Sequence, residues 1–230
     1  MDERTGERTH RRVTDGRADG PRDAGGPRDA GGPRDAGGPR DETAALRLRQ
    51  AVRRIADHTR DRAATGVGPE EADEVAGTFG TDGALGFDPF PFLRALHEAG
   101  SRAVVVGQVA GILHGSTDLT GDLDLLWDGT PEQADALRRA LTASGCADLP
   151  ALDRPQVLYR VTGASGDLCT PALPWGPMDV TPCLDRAAVT YDPAGFAIRY
   201  ACLDDLILMR RSLGRPKDRR RAAELEALRA

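Results

Sequence analysis

Residues Ala103 to Asp128 read AVVVGQVAGILHGSTDLTGDLDLLWD, and the order of residue types in this stretch decides the fold. Val104, Val105 and Val106 form a β-branched run that ends at Gly107, which predicts a short buried strand. Gln108 to His114 leaves room for about two helical turns before Gly115 stops them. Beyond the polar connection Ser116 to Gly121, the segment Asp122 to Trp127 alternates. Asp122, Asp124 and Leu126 fall on one side and Leu123, Leu125 and Trp127 on the other, which predicts a strand with one apolar face and two carboxylates opposite it.

Asp122 and Asp124 then stand roughly 6.6 Å apart along one strand face, where two carboxylates can share or bridge a divalent cation. Two like charges side by side cost free energy unless something neutralises them. Solvated acids on an edge strand are the alternative; the apolar opposite face and flanks weigh toward a metal site. Mg²⁺ suits the ligand type, because it favours carboxylate oxygens together with water and substrate phosphate. Asp179, in the later run Met178 to Leu184, is the candidate third carboxylate. Gly107 ends a strand and opens a helix, so free N–H groups and the positive helix terminus can face a phosphate. Phosphate contact plus paired acids fits phosphoryl or nucleotidyl transfer by in-line displacement.

The 230 residues allow one modest globular domain plus extensions, and 40% apolar content allows a core without demanding the whole length. A net charge of −5 gives no overall basic field for nucleic acid or an anionic membrane. No run approaches the roughly 20 apolar residues that a membrane span needs. Cys146, Cys169, Cys183 and Cys202 are widely spaced, with no Cys-x-x-Cys pair and no apolar leader ahead of them, so reduced thiols in a soluble, cytoplasmic protein are expected.

Residues 1–41 are of low complexity. From Pro21 the unit Pro-Arg-Asp-Ala-Gly-Gly repeats three times and breaks off at Pro39-Arg40-Asp41. Without a large apolar side chain this unit cannot offset its ordering entropy, and it reads as a disordered, solvated tail. Its nine arginines balance nine acids, so the charge of −5 belongs to the remainder. From Glu42 to Ala64 the positions Ala45, Leu48, Val52 and Ile55 predict one amphipathic helix with an arginine-rich outer surface. Gly66 to Asp88 reads as linker, so residues 42–88 form a helix and linker ahead of a domain at 89–230.

Phe92, Leu93 and Leu96 predict a helix leading into the valine strand. Thr130-Pro131-Glu132-Gln133 reads as a capped helix start, with the helix continuing to about Ser144. Gln156 to Thr162, Met178 to Leu184 and Phe196 to Ala201 are the remaining predicted strands. Leu203, Leu206, Ile207 and Leu213, and then Ala222, Leu225 and Leu228, predict two helices separated by Gly214-Arg215-Pro216. The expected fold is a small mixed α/β (α+β) sheet with flanking helices and a C-terminal helical pair.

These residues together resemble the nucleotidyltransferase superfamily, in which Gly-Gly or Gly-Ser at a helix start is followed by Asp-x-Asp on the next strand and a third acid on a later one. The nearer resemblance is to bacterial abortive-infection (AbiEii-type) nucleotidyl transferases. It is carried by Ala110 to Gly115 (AGILHG), Thr120 to Asp124 (TGDLD) and Gly214 to Asp218 (GRPKD), and it covers about Phe90 to Ala230. The resemblance implies a minimal nucleotidyltransferase-like domain that moves a nucleoside monophosphate from an NTP to a hydroxyl of tRNA, protein or a small molecule. It also implies a place in a toxin–antitoxin pair with an antitoxin-like partner. By the same carry-over Asp122 and Asp124 hold metal on the triphosphate, Asp179 assists deprotonation of the acceptor, and Gly107 cradles phosphate.

The chain departs from that pattern at Gln108, where a second small residue stands, and at Asp118 and Arg210, where Arg and Lys are common. Gln108 can crowd the phosphate path or donate a hydrogen bond to it. These departures motivate an alternative, a catalytically degenerate protein that binds nucleotide or a partner protein. Lys217 is the only lysine among 31 basic residues, and its compact ammonium suits a phosphate contact or a salt bridge at a helix start. His114 reads as a packed or helix-ending histidine, since the transfer reading needs carboxylate and metal.

Overall fold

The computed structural model describes residues 43–72 and 76–229 of the chain. The repeat tail lies outside the described residues. The fold is mixed α+β, as the residue pattern predicts, with seven α-helices and a six-stranded mixed sheet among the described residues.

The helices are α1 (Thr43–Thr59), α2 (Phe90–Glu98), α3 (Gly107–His114), α4 (Pro131–Ala143), α5 (Thr181–Asp185), α6 (Leu203–Leu213) and α7 (Pro216–Ala227). The strands are β1 (Val104–Val105), β2 (Leu125–Leu126), β3 (Gln156–Val161), β4 (Ala164–Cys169), β5 (Ala188–Tyr191) and β6 (Ala197–Tyr200), in the sheet order β3-β4-β2-β1-β6-β5. β1 runs antiparallel to β2 and parallel to β6, and β2 runs parallel to β4. The hairpins β3–β4 and β5–β6 complete the two edges.

The alternation read from Asp122 to Trp127 is realised: Leu123, Leu125 and Trp127 are buried against the core while Asp122 and Asp124 are only partly covered. Regular pairing spans only Leu125–Leu126, yet the extended backbone continues on both sides. Leu123 N–H donates to Ser165 O and Trp127 N–H to Cys169 O, each at 2.9 Å, and Val106 N–H reaches Asp124 O at 2.9 Å. These bonds hold both aspartates in register with β4.

Four segments differ from the sequence expectation. Met178 to Leu184 is not a strand but a loop followed by α5, because Pro182 has no N–H for a ladder and fits the first turn of a helix. β4 and β5 are strands that the residue pattern did not announce. β4 (ASGDLC) carries few large apolar side chains, and it forms because the Thr162-Gly163 turn folds it back onto β3 in full register.

The fourth segment is Gly66 to Asp88, which reads as a linker but builds 3-10 turns at Pro69–Glu71, Gly77–Gly80 and Asp82–Ala84. Arg62 donates to Phe79 O at 2.8 Å and to Thr81 O, and the Asp82 carboxylate accepts from the N–H groups of Thr65 and Gly66. Charged side chains thus supply the partners that a strand or helix would have provided. α1 packs on α3 and β5 through Ala44, Ala45, Leu48, Ala51 and Ile55, which belong to the same hydrophobic core as the sheet. Residues 43–72 and 76–88 are therefore built into the domain rather than set ahead of it.

All four cysteines are free thiols. No helix among the described residues is long and apolar enough to cross a membrane.

Candidate carboxylate centre

Parallel pairing of β2 with β4 sets Leu125 opposite Leu168, so the neighbouring positions Asp124 and Asp167 fall side by side on one face of the sheet. Asp122, two residues before Asp124, projects to the same face. Asp167 N–H donates to Asp124 Oδ1 at 3.3 Å. The third acid beside the pair is thus Asp167, on a strand absent from the sequence reading.

Asp179 is elsewhere. It is exposed in the loop before α5, where its carboxylate accepts from Thr181 N–H at 2.9 Å and is held below its ordinary value by that bond. Its failure to join the pair follows from Pro182, which turns the expected strand into a helix. The alternation Ser165-Gly166-Asp167 after the Thr162-Gly163 turn was the signal that could have revealed Asp167.

Burial and like charge together set the electrostatics of the centre. Burial, then Asp122 and Asp167, push the Asp124 carboxyl well above the usual carboxylate range, with the Asp167 N–H and Arg210 pulling the other way. Burial and Asp122 likewise raise Asp167, against a hydrogen bond from Gln156. Burial and the three acids raise the Tyr159 hydroxyl, which donates to Leu123 O at 2.7 Å. Asp167 Oδ1 is buried without a hydrogen-bond partner among the described residues.

Hard oxygen donors, an orphaned carboxylate oxygen and raised acids fit a divalent cation in donor chemistry and in charge. Among the described residues no group of three His, Cys, Asp or Glu side chains stands assembled to hold a metal ion. The case for a cation therefore rests on charge rather than on a ready-made cage. Asp122 is meanwhile engaged by hydroxyls: Thr78 Oγ1 donates to its Oδ1 at 2.9 Å, and Thr120 Oγ1 donates to the same oxygen. A groove of about 1070 Å³ runs past these acids, lined among others by Asp122, Tyr159, Gln156, Arg160, Ser165 and Asp167.

Gly107 opens α3 with φ of +64°, in the left-handed region that favours glycine, and a Cβ there would overlap Asp124 Oδ2. The first-turn N–H groups of α3 have no acceptor within the helix, so they are donors at the edge of the carboxylate centre.

The Gln108 side chain is buried and already committed. Its Nε2 donates to Ser116 Oγ at 2.8 Å and Asp118 O at 3.1 Å, and its Oε1 accepts from Arg210 Nη2 at 3.2 Å. Only its backbone N–H is left for a phosphate. Arg210 is buried as well and pairs with Asp218 at 3.0 Å, while its Nε has no partner among the described residues. Burial and Arg221 lower Arg210, against the hydrogen bond and charge of Asp218. Asp118 is countered by Arg220 at 3.1 Å and Arg221 at 3.4 Å.

Lys217 lies in the first turn of α7, one helical turn before Arg221, and is partly buried. His114 is structural: its Nε2 lies 2.8 Å from Ala201 O, its ring packs on Tyr200, and burial lowers its basicity.

No family model matches the chain, and no curated protein matches it.

Proposed function

We propose that the chain is an Mg²⁺-dependent nucleotidyltransferase that moves a nucleoside monophosphate from an NTP to a hydroxyl acceptor, with Asp122, Asp124 and Asp167 as its acids. The observation that carries this reading is the side-by-side placement of Asp124 and Asp167 on one sheet face beside the N-terminus of α3, with both carboxyls raised by burial and by the charge of Asp122. Acids raised by burial and by like charge are suited to take a cation, whose positive charge would offset both.

A divalent cation bound by these carboxylates would act as a Lewis acid on the triphosphate. Gly107 lets the backbone approach the phosphates, and the N–H groups of Gly107, Gln108 and Val109 offer donors to them. Lys217 offers a compact positive charge for the same anion. Asp167 accepts the proton of the attacking hydroxyl as the new O–P bond forms and pyrophosphate leaves. The groove supports room for an acceptor, for which tRNA, a protein or a small molecule are the chemical options. A toxin–antitoxin role with a protein antitoxin belongs to the same proposal.

A second reading, a catalytically degenerate nucleotide- or protein-binding fold, is favoured by the buried Gln108 side chain filling the place of a small residue. The two are separated by incubating the full chain with each α-³²P-labelled NTP, Mg²⁺ and total RNA or lysate. Transfer that disappears in Asp122→Ala/Asp124→Ala supports the enzyme. Nucleotide binding without transfer supports the degenerate reading, and transfer unaffected by the double substitution overturns the metal assignment.

A further inference from the structure

We infer that Thr78 is a positioning residue for the carboxylate centre, holding Asp122 through Oδ1 so that Oδ2 is left for the cation; this rests on the metal-dependent reading above.

Thr78 lies in the 3-10 turn Gly77–Gly80, far from Asp122 in sequence, and only the tertiary fold brings them together. Its Oγ1 donates to Asp122 Oδ1 at 2.9 Å, accepts from Gly121 N–H at 3.2 Å and lies 2.8 Å from Thr120 Oγ1. Thr120 is itself buried and reaches the same Oδ1. The Gly121 N–H uses a lone pair of the Thr78 oxygen, which leaves the single Thr78 proton for Asp122 Oδ1 or for Thr120 Oγ1, itself bonded to that carboxylate oxygen. Both hydroxyls fall on Oδ1, and among the described residues no hydrogen bond reaches Oδ2.

The support behind Thr78 is rigid. Arg62 clamps the carbonyls of Phe79 and Thr81, and Thr81 Oγ1 donates to Thr78 O at 2.7 Å. Gly121 lies so near the segment that a Cβ on it would come within 2.5 Å of Ala84 N and 2.6 Å of Thr78 O. A partner that orients a ligating carboxylate from behind typically contributes ten- to a hundredfold in metal affinity. A strand-capping threonine alone would not move that affinity.

The test is calorimetric titration of Mn²⁺, without NTP or acceptor, into the full chain and its Thr78→Val and Thr78→Ser variants, with circular dichroism confirming the fold. Thr78→Val is expected to weaken Mn²⁺ binding about tenfold or more, and Thr78→Ser, which keeps the hydroxyl, to restore most of it. Undiminished or tighter binding by Thr78→Val, or a serine variant as weak as the valine one, overturns the inference. Mn²⁺ binding that is lost in Asp122→Ala/Asp124→Ala but indifferent to Thr78→Val sinks Thr78 and leaves the metal reading standing. A wild-type chain that binds no Mn²⁺ overturns both.

Discussion

Gly107 and Asp124 occupy each other's space: a Cβ on Gly107 would overlap Asp124 Oδ2, and the glycine holds φ of +64° where side chains are disfavoured. Gly107→Ala is therefore expected to lose about 1–3 kcal/mol from the backbone conformation alone, plus the cost of displacing the carboxylate. Urea denaturation reads the stability. The labelled-NTP assay should show transfer abolished even under conditions where the variant stays folded.

Asp167 and Asp179 exchange roles between sequence and structure, and paired variants test this directly. Asp167→Asn should cost at least about tenfold in Mn²⁺ affinity and suppress transfer. Asp179→Ala should leave both near wild type, because that carboxylate is exposed and serves the turn before α5. A loss of metal binding confined to the Asp179 variant would reverse the assignment.

Gln108 lies in the first turn of α3 beside the carboxylate centre, and replacing it with a small residue is predicted to do harm. Gln108→Gly removes the acceptor of the buried Arg210 Nη2 and the donor to Ser116 and Asp118. Arg210 keeps its ion pair with Asp218, but a buried N–H left without an acceptor costs about 1–3 kcal/mol. The expected result is a lower denaturation midpoint with no gain in transfer; higher activity at unchanged stability would contradict it.

Asp192 gives a pH prediction away from the candidate site. It is buried in the β5–β6 turn and receives two hydrogen bonds from Arg49 of α1, both at 2.8 Å. Burial acts to raise its carboxyl, but Arg49 and the Ala194 N–H overcome this and hold it below its ordinary value. A depressed folded-state value means stability that is present above the unfolded value of about 3.9 and lost as pH falls through the folded one. Asp192→Asn should be less stable than wild type at neutral pH, with the gap closing below about pH 4. Melting curves of both proteins between acid and neutral pH read that convergence.

The sequence by itself determined the local elements. Val104 to Gly107, the helix to His114, the alternating Asp122–Trp127 run, the Thr130 cap and the C-terminal helical pair are all fixed by contacts within a few residues, where periodicity and turn chemistry decide. Asp122 and Asp124 share a face for the same reason, since alternation along an extended chain requires no partner. What only the tertiary structure decided is what stands beside them. Asp167 joins the pair because β4 runs parallel to β2 in one register, and Thr78 reaches Asp122 because a segment poor in regular structure is tied down by Arg62 and Asp82. Gln108 was legible as an unusual residue, but its engagement with Arg210 depends on α6 packing on α3. Such pairings are set by the sheet and core as a whole, and one strand or loop read alone carries no record of its neighbour.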